Sequence, residues 1–311
     1  IKVYKLPEGG RNSRGRPINN VIQLEEGEKV SAILAVREFP EDQYVFFATA
    51  QGMVKKIQLS AFKNVRSQGI KAIALKEGDY LVGAAQTGGA DDIMLFSNLG
   101  KAIRFNEYWE KSGNDEAEDA DIETENEDSD GLDDENAENA LPSGKHGVRP
   151  SGRGSGGLRG MRLPADGKIV SLITFAPEAE QSDLQVLTAT ANGYGKRTPI
   201  ADYSRKNKGG QGNIAINTGE RNGDLVAATL VSETDDLMLI TSGGVLIRTK
   251  VEQIRETGRA AAGVRLINLD EGETLVSLER VAEEAEDEAA LESDAAENQV
   301  VEAEDTPSQE S

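Results

Sequence analysis

The sequence predicts an all-β chain built from repeated four-stranded units. Three observations carry this. A turn glycine followed by an acid and an apolar run recurs at Gly27-Glu28, Gly78-Asp79, Gly223-Asp224 and Gly272-Glu273, with Gly167-Lys168 as a copy that has lost the acid. The spacings are 51, 89, 56 and 49 residues, and the long one contains an acidic stretch of 33, so the period is about fifty. In the same phase comes a strand, a tight glycine turn and a strand carrying basic residues, at Gly52, Gly100, Gly193 and Gly243-Gly244. No 3.6-residue periodicity persists outside the acidic tail.

The first complete unit offers strands at about 21–24, 30–36, 44–49 and 54–59, rich in Val, Ile, Leu and Thr and separated by turn signals. Each glycine turn needs positive φ, which glycine supplies at low cost, so each copy reads as a β-hairpin. Four strands per fifty residues, repeated, is the pattern of propeller blades, which hide one face only by stacking on their neighbours. The last unit supplies two strands, 264–269 and 274–281. The opening strand, 1–6, has no local partner, and closure of a ring by pairing the chain ends is the economical expectation.

Net charge is −21 over 311 residues, but it is unevenly distributed. Residues 112–144 carry 14 acidic and no basic side chains, and residues 282–311 carry 12 and none. The remaining 248 residues hold 34 basic and 29 acidic side chains, a net charge of +5, so the bulk acidity excludes no polyanionic partner. The acidic tracts lack the apolar residues needed to offset ordering entropy and are expected to be disordered. The organisation expected is therefore body 1–110, acidic insertion 111–144, body 145–282 and acidic tail 283–311.

The absence of cysteine excludes disulfides, thiolate metal sites and a cysteine nucleophile. The single histidine, His146, sits in a polar loop and reads as solvated. No apolar run reaches the roughly 20 residues that span a bilayer. The N-terminus is neither a signal peptide nor an initiator methionine, which reads as a soluble cytoplasmic fragment beginning inside a strand.

A third mark lies between units: a basic residue, two residues, then glycine. It occurs as Arg66-Ser67-Gln68-Gly69, Arg149-Pro150-Ser151-Gly152, Lys206-Asn207-Lys208-Gly209 (preceded by Arg205) and Arg255-Glu256-Thr257-Gly258. Arg11-Asn12-Ser13-Arg14-Gly15-Arg16 is a variant. Lys71, Arg153, Arg159, Arg162, Arg259 and Arg265 follow these loops. Equivalent loops in every unit fall on one rim. The basic strand ends Lys55, Lys56, Lys101, Arg104, Lys196, Arg197, Arg248 and Lys250 recur in register too. Together they predict a curved positive track, in which glycine lets the backbone approach a phosphate and Arg or Lys neutralises it. Bending duplex DNA through a half-turn costs on the order of ten kcal/mol, which contacts repeated on every blade could offset. Aromatic residues do not interleave with these loops, which weighs against a single-strand stacking platform.

Other matches fail. Gly193-Tyr194-Gly195-Lys196-Arg197-Thr198 lacks Walker A spacing, and Gly154-Ser155-Gly156-Gly157-Leu158-Arg159-Gly160 has no strand–helix context for a dinucleotide. The acidic runs lack calcium-loop spacing. Tyr194 and the other tyrosines show no environment for a nucleophile. No catalytic residue and no metal site is expected.

Several blocks together are specific: Gly15-Arg16-Pro17-Ile18-Asn19-Asn20, Ala48-Thr49-Ala50-Gln51-Gly52-Met53-Val54-Lys55-Lys56, Asn192-Gly193-Tyr194-Gly195-Lys196-Arg197-Thr198 and Gly244-Val245-Leu246-Ile247-Arg248-Thr249. Over about residues 1–110 and 145–282 the chain closely resembles the C-terminal domain of bacterial DNA gyrase A subunits. The resemblance implies a six-bladed β-pinwheel, a propeller relative with swapped blade strands, which this chain enters within the second blade. It implies binding and wrapping of double-stranded DNA on the basic rim, giving ATP-dependent negative supercoiling by a type IIA topoisomerase. The assembly it implies is a cytoplasmic, nucleoid-associated A2B2 complex, in which the rest of the A protein and the gyrase B protein are the partners. It implies no cofactor in this segment, with ATP and magnesium on other domains, and no membrane partner.

Two departures stand out. The family's box in its first blade, Gln-Arg-Arg-Gly-Gly-Lys-Gly, is absent, and Lys206-Asn207-Lys208-Gly209-Gly210-Gln211-Gly212 looks like its degenerate equivalent in a later blade. The acidic insertion is the second. The rivals are the equivalent domain of topoisomerase IV, a decatenating enzyme that wraps weakly, and a protein-interaction propeller. The latter predicts exposed apolar top-face loops that the sequence lacks. Charge segregation further predicts that the acidic tracts compete with DNA for the rim.

Overall fold

A computed structural model describes residues 1–9, 14–22, 24, 27–64, 69–110, 147–181 and 183–281. The acidic insertion, the acidic tail, Arg11, Arg66 and His146 lie outside the described residues.

The four predicted hairpins form. They are β1 (Tyr44–Thr49) with β2 (Met53–Gln58), β4 (Asp92–Ser97) with β5 (Lys101–Asn106), β8 (Gln185–Thr190) with β9 (Tyr194–Pro199), and β12 (Asp236–Thr241) with β13 (Leu246–Lys250). Each is joined by an inner strand, respectively β3 (Leu81–Thr87), β7 (Ile169–Phe175), β11 (Leu225–Val231) and β15 (Leu275–Val281). The register between hairpin and inner strand slips at the same place in every sheet, at Ala48/Thr49, Phe96/Ser97, Leu225/Ala227 and Ile240/Thr241. Such a bulge bends the strand and sharpens its twist.

The fourth strand of each sheet comes from farther along the chain. Sheet order is β3-β1-β2-β6, β7-β4-β5-β10 and β11-β8-β9-β14, with β6 (Leu158–Arg159), β10 (Asn213–Ile214) and β14 (Val264–Arg265) at the outer edges. A blade is therefore not a contiguous unit: the stretch 158–199 sends β6 to the first sheet, β7 to the second and the β8–β9 hairpin to the third. The hairpin glycines are the crossing points. Gly52, at φ 82°, accepts a hydrogen bond from Gly160 N at 2.8 Å, and a Cβ there would stand 2.5 Å from Met161 O. Gly193 repeats this geometry against Leu266 and Ile267.

The cores lie between sheets. Phe46, Leu95, Phe105 and Ile169 close the first against the second, Phe96, Ile173, Tyr203 and Leu225 the second against the third, and Leu187, Leu239, Val251 and Leu275 the third against the fourth. A fourth cluster, Val45, Phe47, Ile57, Leu59 and Ile73, packs on the far face of the first sheet with Val36 and Phe39.

The N-terminal strands predicted at 1–6, 21–24 and 30–36 are not formed among the described residues. Val3–Lys5 and Ile18–Asn20 are single 3-10 turns, and Val3, Tyr4 and Ile33 are exposed. A strand without a partner leaves its backbone groups unpaired, and these segments find no partner strand among the described residues. The expected closure between chain ends is also not made among the described residues. Sheet four has three strands, β13-β12-β15, and the outer edge of β13 is open with Val245, Leu246 and Ile247 exposed. Among the described residues no helix is long and apolar enough to cross a membrane.

Candidate nucleic-acid interface

The fourth residue after each hairpin glycine is basic: Lys56, Arg104, Arg197 and Arg248. Each reaches the first residue of its own hairpin. Lys56 Nζ lies over the Tyr44 ring at 4.9 Å, and Arg104 Nε donates to Asp92 Oδ2 at 2.8 Å. Arg197 Nη1 donates to Gln185 Oε1 at 3.3 Å and Arg248 Nε to Asp236 Oδ2 at 2.5 Å. The residue before, Lys55 or Lys196, turns outward under the rim loop instead. Lys55 Nζ donates to Ala72 O, Arg153 O and Ser155 O at 3.0, 2.8 and 2.6 Å, and Lys196 Nζ to Gly258 O and Arg259 O. Burial pulls both ammonium groups down to about 8.

Lys55, Lys56, Arg104, Lys196 and Arg197 are consequently buried, which corrects the expectation that they line a surface track. The physical reason is the rim loop. Ser151 N donates to Lys56 O at 2.9 Å, Lys206 N to Arg104 O at 2.8 Å and Thr257 N to Arg197 O at 2.9 Å, so each loop lies across its hairpin's outer face. Loss of hydration is offset by pairing. Glu107 faces Lys56 at 3.6 Å; burial pushes the lysine down and the carboxyl up. Asp92, fully buried, accepts from Arg104, Arg205 and Asn106.

The same bonds fix the register of the loops. Ser151, Lys206 and Thr257 are equivalent, as are Arg153, Lys208 and Arg259. The glycine motif that aligns Gly209 with Gly152 is therefore two residues out of register, and Asn207 stands where Gly152 and Gly258 stand. The first two loops are joined to neighbours by backbone bonds, Ala74 N to Ser155 O at 3.4 Å and Gly209 N to Gly160 O at 2.7 Å. Between the second and third loops lies a groove of about 880 Å³ lined by Lys101, Asp202, Ile214 and Arg259.

The rim keeps a cationic surface. Lys71, Arg159, Arg162, Lys206, Arg255 and Arg265 are exposed, and Lys101, Arg149, Arg153, Arg205, Lys208 and Arg259 are half-buried. Arg149 lies over Trp109 at 5.6 Å, and Arg205 shares Asp92. Arg14 and Arg16 are exposed in the N-terminal segment, where no strand forms among the described residues. Arg248 and Lys250 are exposed on the open edge, paired with Asp236 and Glu252.

Sequence reasoning passed over Arg221 and set Tyr194 aside. Tyr194 follows the third hairpin glycine and pairs across the sheet with Arg265. Arg265 Nη2 donates to the phenol oxygen at 2.7 Å, and the Arg221 and Arg265 guanidinium carbons lie 4.4 and 5.2 Å from the ring centre. No sequence signal marked them, because the pairing of β14 with β9 arises only through the strand exchange; at the corresponding rung of the other sheets Arg159 stands opposite Met53 and Lys101 opposite Ile214.

The family described as "DNA gyrase C-terminal domain, beta-propeller" matches residues 1–37, 43–87, 91–108, 146–176, 185–232 and 235–282. The DNA gyrase A protein of Neisseria gonorrhoeae is 93% identical over 286 residues, covering 91% of this chain and 31% of that protein. The DNA gyrase A protein of Aeromonas salmonicida is 47% identical, covering 93% of this chain and 32% of that protein. The chain thus spans about a third of the length of these curated relatives. Two solved structures share the fold at 22% identity. The C-terminal domain of DNA topoisomerase IV has a TM-score of 0.71 (96% of this chain, 79% of that one), and that of DNA gyrase A has 0.65 (90% and 77%). Similarity of fold alone does not separate the two. By family match and sequence identity together, this chain belongs to the DNA gyrase C-terminal domain, beta-propeller family.

Proposed function

We propose that the chain binds duplex DNA along its outer rim and bends it, as the DNA-wrapping part of a gyrase that introduces negative supercoils at the expense of ATP. The observation that carries this is the rim. Loops pinned in the same register on three consecutive sheets present cations on one outer edge, while the equally periodic strand lysines and arginines are withdrawn beneath them. In this reading the body is 1–110 with 145–282, and cleavage, ATP and magnesium belong to other domains. The working assembly is two gyrase A proteins with two gyrase B proteins, acting on the nucleoid in the cytoplasm. The topoisomerase IV reading retains the fold but not the 93% and 47% identities to gyrase A proteins. The test is a plasmid relaxed by a nicking-closing enzyme in the presence of increasing amounts of the chain. Wrapping with a fixed hand around the rim shifts the linking number of the recovered plasmid in proportion to bound protein. Binding with no shift would leave a DNA-binding domain that does not wrap.

A further inference from the structure

Three candidates stand outside the rim loops: the open edge of β13, the groove between the second and third loops, and the cluster around Tyr194. The first has nothing on it that says what covers it, and the second is bounded by residues already placed in the rim. The third carries an inference.

Arg221 and Arg265 come from different elements, the turn before β11 and the outer strand β14, and converge on one tyrosine ring. Among the described residues neither guanidinium is in an ion pair. Arg265 Nη1 donates to Asn268 Oδ1 at 3.0 Å and Nη2 to the Tyr194 phenol oxygen at 2.7 Å. Both guanidinium groups are exposed. Asn192 Nδ2 holds the Arg221 turn by donating to Glu220 O and Arg221 O at 3.0 and 3.1 Å. The nearest carboxylate in sequence, Glu220, is exposed and contributes only its carbonyl. Two like charges drawn to one phenol repel each other, and an anion placed between them removes that cost. The Arg265 hydrogen bond and the adjacent Arg221 guanidinium hold the phenol itself below its ordinary value, a sign of the positive potential there.

We propose that Arg221, Arg265 and the Tyr194 phenol form a phosphate subsite beside the rim, which takes one backbone phosphodiester of bound duplex DNA. This rests on the rim reading above and extends it. The subsite lies at the turn end of the third hairpin. At the corresponding rung the first sheet has Arg159 on its outer strand, equivalent to Arg265, and the second has Lys101 on its hairpin strand, equivalent to Tyr194. The rim loops cross the hairpins at Lys56, Arg104 and Arg197, three residues from that level, so the two rows of cations are about 10 Å apart along the strand. A duplex lying on the rim offers phosphates of both strands at such separations across its grooves.

The test is the salt dependence of binding of a 40-base-pair mixed-sequence duplex to the 311-residue chain, wild type against Arg221→Gln, Arg265→Gln and the double variant. Removing the neutralisation of one phosphate lowers the slope of log K against log salt by about 0.9, with binding weaker on the order of tenfold for the double variant. Near-ultraviolet circular dichroism of each variant checks that packing is intact. An unchanged slope and affinity in a folded double variant overturns the subsite. Failure of the wild type to bind duplex at any salt overturns the rim reading instead. Inorganic phosphate is the control probe. If it protects Arg265 from a guanidine-modifying reagent at sub-millimolar concentration and the duplex does not, the site is one for a free anion and the assignment to DNA is wrong.

Discussion

Arg104 and Arg248 occupy the same position, four residues after a hairpin glycine, and each pairs with an aspartate at the start of its hairpin. Yet the Arg104 side chain is 1% exposed and the Arg248 side chain 63%. The difference is what lies over them. In the second sheet the rim loop reaches Arg104 through Lys206, and β10 completes the edge; in the fourth sheet no described residue does either. A basic residue recurring in phase therefore does not announce a nucleic-acid contact. The swapped strand and its loop decide whether it is a clamp inside the blade or a charge on its surface.

Replacing the two aspartates breaks this comparison most directly. Asp92→Ala removes the buried carboxylate that the buried Arg104 and the half-buried Arg205 share and is expected to destabilise by about 3–5 kcal/mol in urea unfolding. Asp236→Ala removes an exposed pair and costs at most about 1 kcal/mol. Equal losses would show that the covering loop does not matter.

Lys55 and Lys196 give the next effect. Lys55→Met removes the donor shared by three rim carbonyls, of which Ser155 O keeps its bond from Ala74 N, and is expected to cost about 1–3 kcal/mol. Both lysines are pulled down to about 8 by burial, below their unfolded value of 10.5, so between these limits the unfolded chain binds more protons. Their contribution to stability accordingly rises from about pH 8 toward about pH 10.5. Denaturation midpoints measured across that window should show the rise in the wild type and a smaller one in Lys55→Met/Lys196→Met.

Two smaller effects sharpen the surface side. Removing 283–311 should tighten duplex binding and steepen its salt dependence, because the tail carries 12 acidic and no basic residues. Unchanged affinity at two salt concentrations would remove the tail as a competitor. Arg265→Ala should raise the pH at which the Tyr194 phenol ionises, read as the difference in ultraviolet titration from a Tyr194→Phe chain.

The hairpins were legible because glycine at positive φ is a local requirement: Gly52, Gly100, Gly193 and Gly244 announce their turns, and the flanking Val, Ile, Leu and Thr announce the strands. The period was legible for the same reason. The exchange of strands was not readable from the residues alone, because Leu158–Arg159 pairs with Met53–Val54 across more than a hundred residues and is only two residues long. The buried lysines were misplaced because Lys55 and Lys206 look alike in a sequence, while carbonyls that accept the Lys55 ammonium come from loops 17 to 100 residues away. The N-terminal strands had the right composition, but a strand needs a partner.

The central claim is that the exposed and half-buried rim cations, rather than the buried strand cations, hold duplex DNA. Charge reversal of Arg153, Lys208 and Arg259 together, followed by binding to several duplex sequences over a range of salt, tests it. The account predicts weakening of similar size on every sequence, with the slope of log K against log salt falling by about 0.9 for each phosphate no longer neutralised. A slope equal to that of the wild type, or weakening confined to one sequence, would contradict it.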